Sequence, residues 1–285
     1  MLITDSLDEL RAQCTAWRGT GESVAFVPTM GNLHEGHLRL VEEARKQARR
    51  VVVSIFVNPL QFGPNEDFQA YPRTPEQDVQ ALLSVEADLL FQPSVDTVYP
   101  GTQSHATYVD VPVLSEQLCG AFRPGHFRGV LTVVCKLFNM VQPDVALFGE
   151  KDYQQLTLIR KMVNDLNIPV DIQAVPTVRE RNGLAMSSRN AYLSDEEKQR
   201  ASLLFCCLTE TRRALLAGNS DFSNLEEQQL AFLRGNQFDP DYFAIRRADD
   251  LLVPTARDND LVVLVAARLG KARLIDNLRV QLSRP

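Results

Sequence analysis

Between Ser23 and Val178, short apolar runs rich in β-branched residues alternate with helical stretches, and this alternation constrains the fold more than any single motif. Ser23 to Met30 is such a run, followed by a helical pattern from about His37 to Arg50 that puts Leu38, Val41 and Ala44 on one face. Arg50 to Val57 is a second run, so a strand, a helix and a strand form a βαβ unit whose continuous apolar strands suit a parallel sheet covered on both faces. The pattern recurs. Thr74-Pro75-Glu76-Gln77 offers a cap residue, a proline at the first helical position and a glutamine at the reciprocal-cap position, predicting a helix to about Val85 ahead of a strand at Ala87 to Phe91. Phe127 to Val141 reads as a buried helix, Asp144 to Phe148 as a strand, Tyr153 to Leu166 as an amphipathic helix and Val170 to Val178 as a further strand. The expected class is α/β, with a Rossmann-like, doubly wound parallel sheet.

The texture changes after Val178. Arg179 to Asn190 is polar and contains glycine, and Ser194 with Glu197 forms a capping box that opens a helix to about Leu216. A helix at about Asn224 to Leu233 and β-rich segments at Tyr242 to Arg247, Asp260 to Ala267 and Arg273 to Val280 follow without intervening helices, which predicts a small antiparallel sheet. The expected organisation is therefore a Rossmann-like domain over 1–178 and a smaller α+β lid domain over 179–285, a division that 285 residues accommodate.

Hydrophobic residues at 45% and charged residues at 23% exclude a disordered chain and a small disulfide scaffold. Thirty basic against 36 acidic side chains argue against a nucleic-acid or anionic-membrane surface. Met1 to Leu10 has neither a basic nor an apolar signal region, and no stretch approaches the ~20 apolar residues of a membrane span, so a cytoplasmic location is expected. Five cysteines without metal-type spacing predict reduced thiols packed as small apolar residues.

Ligands of open parallel sheets bind beyond the carboxyl ends of the strands. The first such turn reads Pro28-Thr29-Met30-Gly31-Asn32-Leu33-His34-Glu35-Gly36-His37. Gly31 and Gly36 permit tight turning, the helix start offers N–H donors to phosphate, and His34 and His37 can each donate a ring N–H to an anion. The same H-x-x-H suits a capping histidine beside a packing one, whereas zinc lacks an adjacent third ligand. Neither a dinucleotide fingerprint nor a P-loop occurs. Gln61, on the loop after the second strand, suits a ligand with hydroxyl and carboxylate groups, or simple solvation. In Gly149-Glu150-Lys151-Asp152, Lys151 is placed to meet phosphate, Asp152 can cap a helix or hold ribose or metal, and Gln155 lies on the first helical turn. Met186-Ser187-Ser188-Arg189-Asn190 puts two hydroxyls and a guanidinium on a flexible loop suited to phosphates or to a polar turn. Arg123-Pro124-Gly125-His126-Phe127-Arg128-Gly129 clusters cations for an anion, a subunit contact or solvent.

His34-Glu35-Gly36-His37 after an apolar strand, with Met186-Ser187-Ser188-Arg189 downstream, resembles the paired signature of the HxGH nucleotidyltransferases. Adding Phe56-Val57-Asn58-Pro59-Leu60-Gln61-Phe62, Tyr71-Pro72-Arg73-Thr74, Arg123 to Gly129 and Phe148 to Asp152, the order over nearly the whole chain resembles the pantothenate synthetase family. That resemblance implies ATP-dependent joining of pantoate to β-alanine through a pantoyl-adenylate, with Mg²⁺ and a homodimeric assembly. It implies ATP contacts at Met30, Gly31, Asn32, Leu33, His34, Glu35, Gly36 and His37, at Gly149, Glu150, Lys151 and Asp152, at the Val178 backbone, and at Met186, Ser187, Ser188 and Arg189. It places pantoate between Gln61 and Gln155, with β-alanine entering near Gln61, and gives the catalytic roles to His34, His37, Lys151 and Arg189. The family often has Leu-Glu-Gly where this chain has Leu118-Cys119-Gly120, which removes an acidic neighbour of Arg123. The alternatives from other classes are an HxGH adenylyltransferase acting on a nucleotide or phosphopantetheine, and a nucleotide sensor without turnover.

Overall fold

The computed structural model describes residues 1–64, 66–101 and 106–282. They form two compact units, one of Met1–Gly149 with Leu158–Pro176 and one of Glu150–Thr157 with Thr177–Pro285.

The first unit is built on a six-stranded parallel sheet of β1 (Leu2–Thr4), β2 (Val24–Thr29), β3 (Arg50–Ile55), β4 (Leu89–Phe91), β5 (Val145–Gly149) and β6 (Asp171–Val175), in the order β1-β4-β3-β2-β5-β6. Strand order reverses between β2 and β5, the switch point at which doubly wound sheets bind ligands. The inner strands β2 to β5 are largely buried, and Ala25, Val27, Val51, Val53, Leu90 and Leu147 share a core with Leu40, Val41 and Ala44 of α2 (Glu35–Gln47). The expected helix start at His37 moves to Glu35, because His34 itself serves as the cap.

The first twenty residues contain elements that the sequence reading did not anticipate. Strand β1 pairs with β4, too short for a period of two to be visible, and α1 (Leu7–Gly19) follows it. Ser6 caps α1 by accepting the Glu9 N–H, and Leu10, Cys14 and Trp17 form its buried stripe. Helix α3 (Pro75–Ser84) starts where expected but without the reciprocal cap: the Thr74 hydroxyl donates to Asp78 Oδ1 (3.1 Å). Strand β6 ends at Val175, three residues before the expected limit, because Pro176 has no N–H for the ladder. A one-turn helix α4 (Val95–Val98) follows β4, and α5 (Cys119–Phe122) precedes α6 (His126–Val141), which is buried along most of its length.

In the second unit the Ser194–Glu197 capping box forms. The single helix expected after it is two, α8 (Asp195–Ala201) and α9 (Leu203–Leu216), which meet at Ser202. Helix α10 (Phe222–Gly235) and the antiparallel strands β7 (Asp239–Arg247), β8 (Asp260–Leu269) and β9 (Ala272–Gln281) complete it. Leu204, Leu208, Leu225 and Leu233 of the helices share its core with Phe243, Val263, Val265 and Leu274 of the sheet. The stretch 150–157, which opens α7 (Tyr153–Asp165), belongs to this unit and not to the first domain as expected. The Tyr153 hydroxyl donates to the Ala248 carbonyl (2.8 Å), and Asn277 holds the carbonyls of Glu150 and Lys151.

Candidate active site

In the first unit, the turn after β2 is shaped by hydrogen bonds to its backbone. Gly31 has φ +79°, and a Cβ there would lie 3.0 Å from Asp78 Oδ2 and from the Ile55 side chain, so glycine is required. Gly36 lies inside α2, leaving Gly31 as the turn glycine of the pair. The buried Asp78 carboxylate accepts the N–H groups of Asn32 (2.9 Å) and Leu33 (2.8 Å), and Thr29 Oγ1 accepts that of Gly31 (3.3 Å). Asp78 was not legible as part of the site: it is 46 positions from Asn32 and stands in no motif.

The two histidines form a capping box. Nδ1 of His34 accepts the Gly36 N–H (3.1 Å), and Nδ1 of His37 accepts the His34 N–H (3.3 Å). A nitrogen that accepts an N–H carries no proton, so each neutral ring holds its proton on Nε2 and can donate from there. The rings lie with centroids 4.1 Å apart and planes tilted by 34°. The sequence alternatives of a cap and an anion donor thus use different nitrogens of the same ring.

Gln61 is buried at the end of a short turn, Pro59–Gln61, and its amide is oriented from both sides. Its Oε1 accepts from Asn58 Nδ2 (3.2 Å), while Nε2 faces Met30 Sδ (2.7 Å), which brings two of the expected contacts together. Tyr99 donates to Asn58 Oδ1 (2.9 Å), and a Cβ on Gly129 of α6 would collide with the Leu60 carbonyl. His126 Nδ1 donates to the Gln61 carbonyl (2.8 Å), and Arg123 donates to His126 Nε2 (2.9 Å) and, through two nitrogens, to the Glu66 carboxylate (2.6 and 2.7 Å). Glu66 therefore supplies an acidic partner for Arg123. Burial pushes Glu66 up, but the hydrogen bond and charge of Arg123 prevail and hold its carboxyl below the ordinary value.

In the second unit, Glu150, Lys151 and Asp152 form a short helical turn leading into α7, with the half-buried Gln155 in the first turn of that helix. The Met186–Arg189 stretch, expected on a flexible loop, is cross-braced. The Met186 N–H donates to the Val178 carbonyl (3.0 Å), Arg179 bridges Ala185, and Ser187 Oγ accepts the Arg189 N–H (3.3 Å). Asn190, buried, donates to Glu180 and to the Ala185 carbonyl. Arg179 donates to the buried Asp276 through both terminal nitrogens (2.6 and 2.9 Å) and stacks on Phe205, whose ring leaves no space for a Cβ at Gly183. The turns at Glu150–Asp152 and Ser188–Tyr192 both pack against β9. Met30, the 31–37 turn and Gln61 thus lie in the first unit, and Lys151, Val178 and Met186 to Arg189 in the second; Gly149 ends β5 of the first and Gln155 lies in the second.

The family model for pantoate-beta-alanine ligase matches residues 2–279. The chain belongs to the pantoate-beta-alanine ligase family. A pantothenate synthetase of Methylococcus capsulatus is 60% identical over 282 residues, covering 99% of each chain, and one of Shewanella oneidensis is 54% identical over 98% of this chain and 99% of its own. A crystal structure of pantothenate synthetase from Thermus thermophilus superposes with TM-score 0.90 at 47% identity, over 98% of this chain and 99% of that one. A pantoate-beta-alanine ligase of Francisella tularensis, complexed with beta-gamma ATP and β-alanine, superposes with TM-score 0.81 at 35% identity, over 98% and 97%. Family membership over the full length supports the ligase reading rather than that of a nucleotide or phosphopantetheine adenylyltransferase. Among the described residues no helix is long and apolar enough to cross a membrane.

Proposed function

We propose that the protein joins pantoate to β-alanine at the expense of ATP, through a pantoyl-adenylate, and releases AMP and pyrophosphate. The observation that carries this reading is the match of the whole chain to one ligase family, supported by the adjacent His34–His37 pair at the sheet's switch point.

Pantoate's carboxylate is ionised near pH 7, so its attack on the α-phosphorus needs alignment and charge relief, not a base. An oxygen–phosphorus bond forms, the α–β anhydride bond breaks, and negative charge gathers on the α-phosphate and the departing pyrophosphate. His34 and His37, donating from Nε2, and the cations of Lys151 and Arg189 are assigned to that charge. Gln61 and Gln155 hold pantoate, and the Met30–His37 turn, Gly149 to Asp152, the Val178 backbone and Met186 to Ser188 hold ATP. β-Alanine then attacks the acyl carbon as a neutral amine, the carbon–oxygen bond to AMP breaks, and the nitrogen loses a proton. The 181–190 segment acts as a lid that keeps water from the adenylate.

Among the described residues no three His, Cys, Asp or Glu side chains converge as a metal cage. The reading includes a magnesium ion, which when bound would relieve charge on the triphosphate. The same reading includes a homodimer and a cytoplasmic location. Measuring AMP release with ATP, pantoate and β-alanine, each omitted in turn, tests the function: AMP and product should both require all three, because AMP leaves only when β-alanine attacks the adenylate, whereas pyrophosphate should require only ATP and pantoate. ATP turnover that ignores pantoate would refute the reading.

A further inference from the structure

We propose that Asn277 of β9 is a positioning residue that aims the Lys151 side chain; this rests on the reading of Lys151 as a phosphate-charge group. The buried Asn277 amide donates from one nitrogen to two successive carbonyls, Glu150 O (2.8 Å) and Lys151 O (2.9 Å). Those carbonyls belong to the two peptide planes on either side of the Lys151 Cα. Tying both planes to one atom restricts φ and ψ at Lys151, and with them the direction in which its Cα–Cβ bond projects.

The clamp is itself held. The Asn277 N–H donates to Asp276 Oδ1 (2.8 Å), and the Asp276 carboxylate is gripped by Arg179, which also reaches the Asn277 carbonyl (3.4 Å). A polar pair buried in a strand otherwise rich in apolar residues carries a desolvation penalty, and replacing such a pair with apolar residues is often neutral or stabilising. Its partners here are the backbone of the Lys151 turn and the arginine that braces the approach to Met186. A static clamp of this kind acts on the reaction only through Lys151.

The test is pantoate-dependent exchange of labelled pyrophosphate into ATP in wild-type enzyme and in the Asn277→Ala, Asn277→Ser, Lys151→Ala and Lys151→Ala/Asn277→Ala variants. Asn277→Ala is expected to lower kcat about tenfold with the KM for pantoate within twofold, and Asn277→Ser, which keeps one donor, to recover part of the loss. In the Lys151→Ala background the same alanine should change the rate less than twofold, because no ammonium is left to aim. Asn277→Asp, of equal size but without the donor, takes the place of alanine if that variant unfolds at assay temperature. Equal fractional losses in both backgrounds, or an Asn277→Ala enzyme within twofold of wild type beside an inactive Lys151→Ala, would overturn the clamp. An unimpaired Lys151→Ala would instead overturn the reading on which the clamp rests.

Discussion

The two units hold the residues proposed to meet phosphate by different means. In the first, His34 and His37 are fixed by one another's neighbourhood, in a box that closes over three residues. In the second, Lys151 and the approach to Met186 are held from β9, across sequence separations of 126 residues for Asn277 to Lys151 and 97 for Arg179 to Asp276. A local box forms whenever the helix start forms; a remote brace exists only after the second unit has folded. The histidine pair therefore stands on nearest neighbours and the Lys151 constellation on tertiary structure.

The comparison breaks most sharply at the charge-bearing groups. Alanine at His37 or at Lys151 should each lower pantoate-dependent pyrophosphate exchange roughly a hundredfold, about 3 kcal/mol of transition-state stabilisation, with the fold retained. Exchange close to wild type in both would remove them from the chemistry. The next effect concerns Asp78, a distant anchor of the first turn. Asp78→Ala leaves the Asn32 and Leu33 amides without their acceptor and should lower unfolding free energy by about 2–3 kcal/mol in urea titrations. A loss under roughly 0.5 kcal/mol would show that the histidine turn needs no distant support.

A smaller effect belongs to Glu66. Its carboxyl lies below the ordinary value of 4.5 in the folded protein, so the stabilisation from its pair with Arg123 is present above that pH and is lost as pH falls through the lower folded value. Glu66→Gln should therefore melt a few degrees below wild type at pH 7, with the gap closing only in acid below about pH 4. A gap that shrinks between pH 7 and pH 5 would contradict the ionised pair. Smallest is a labelling contrast within α9, where Cys206 is exposed and Cys207 is buried. Burial, reinforced by Glu210 and Cys206, pushes the Cys207 thiol up to about 12, so a maleimide should modify Cys206 in the native protein and spare Cys207 until unfolding. Equal labelling rates would show that the helix opens locally.

Legibility follows the same division. The βαβ alternation, the capping box at Ser194 and the antiparallel strands are written in neighbouring residues and were readable. The Rossmann-like class followed from them, and the family was legible separately, as a resemblance carried by motifs such as His34-Glu35-Gly36-His37. Strand β1 was not, since three residues carry no period, although Ser6, Asp8 and Glu9 mark the start of α1 plainly enough to have been found. Helix α9 separates from α8 at Ser202 without proline or glycine, so no local signal announces the break. Asp78, Asp276 and Asn277 escaped for a different reason. Their partners are distant backbone groups, and nothing in the identity of a lone Asp or Asn says which remote amide or carbonyl it will meet.

Because the same two imidazoles both begin α2 through Nδ1 and are proposed to meet ligand through Nε2, alanine at either position should alter helix initiation and ligand handling together, giving a phenotype with two causes. Asparagine at position 34 separates them, since its short amide can serve the cap while placing no donor where the far ring nitrogen stood. The cost of losing that nitrogen alone then becomes measurable on an intact helical frame.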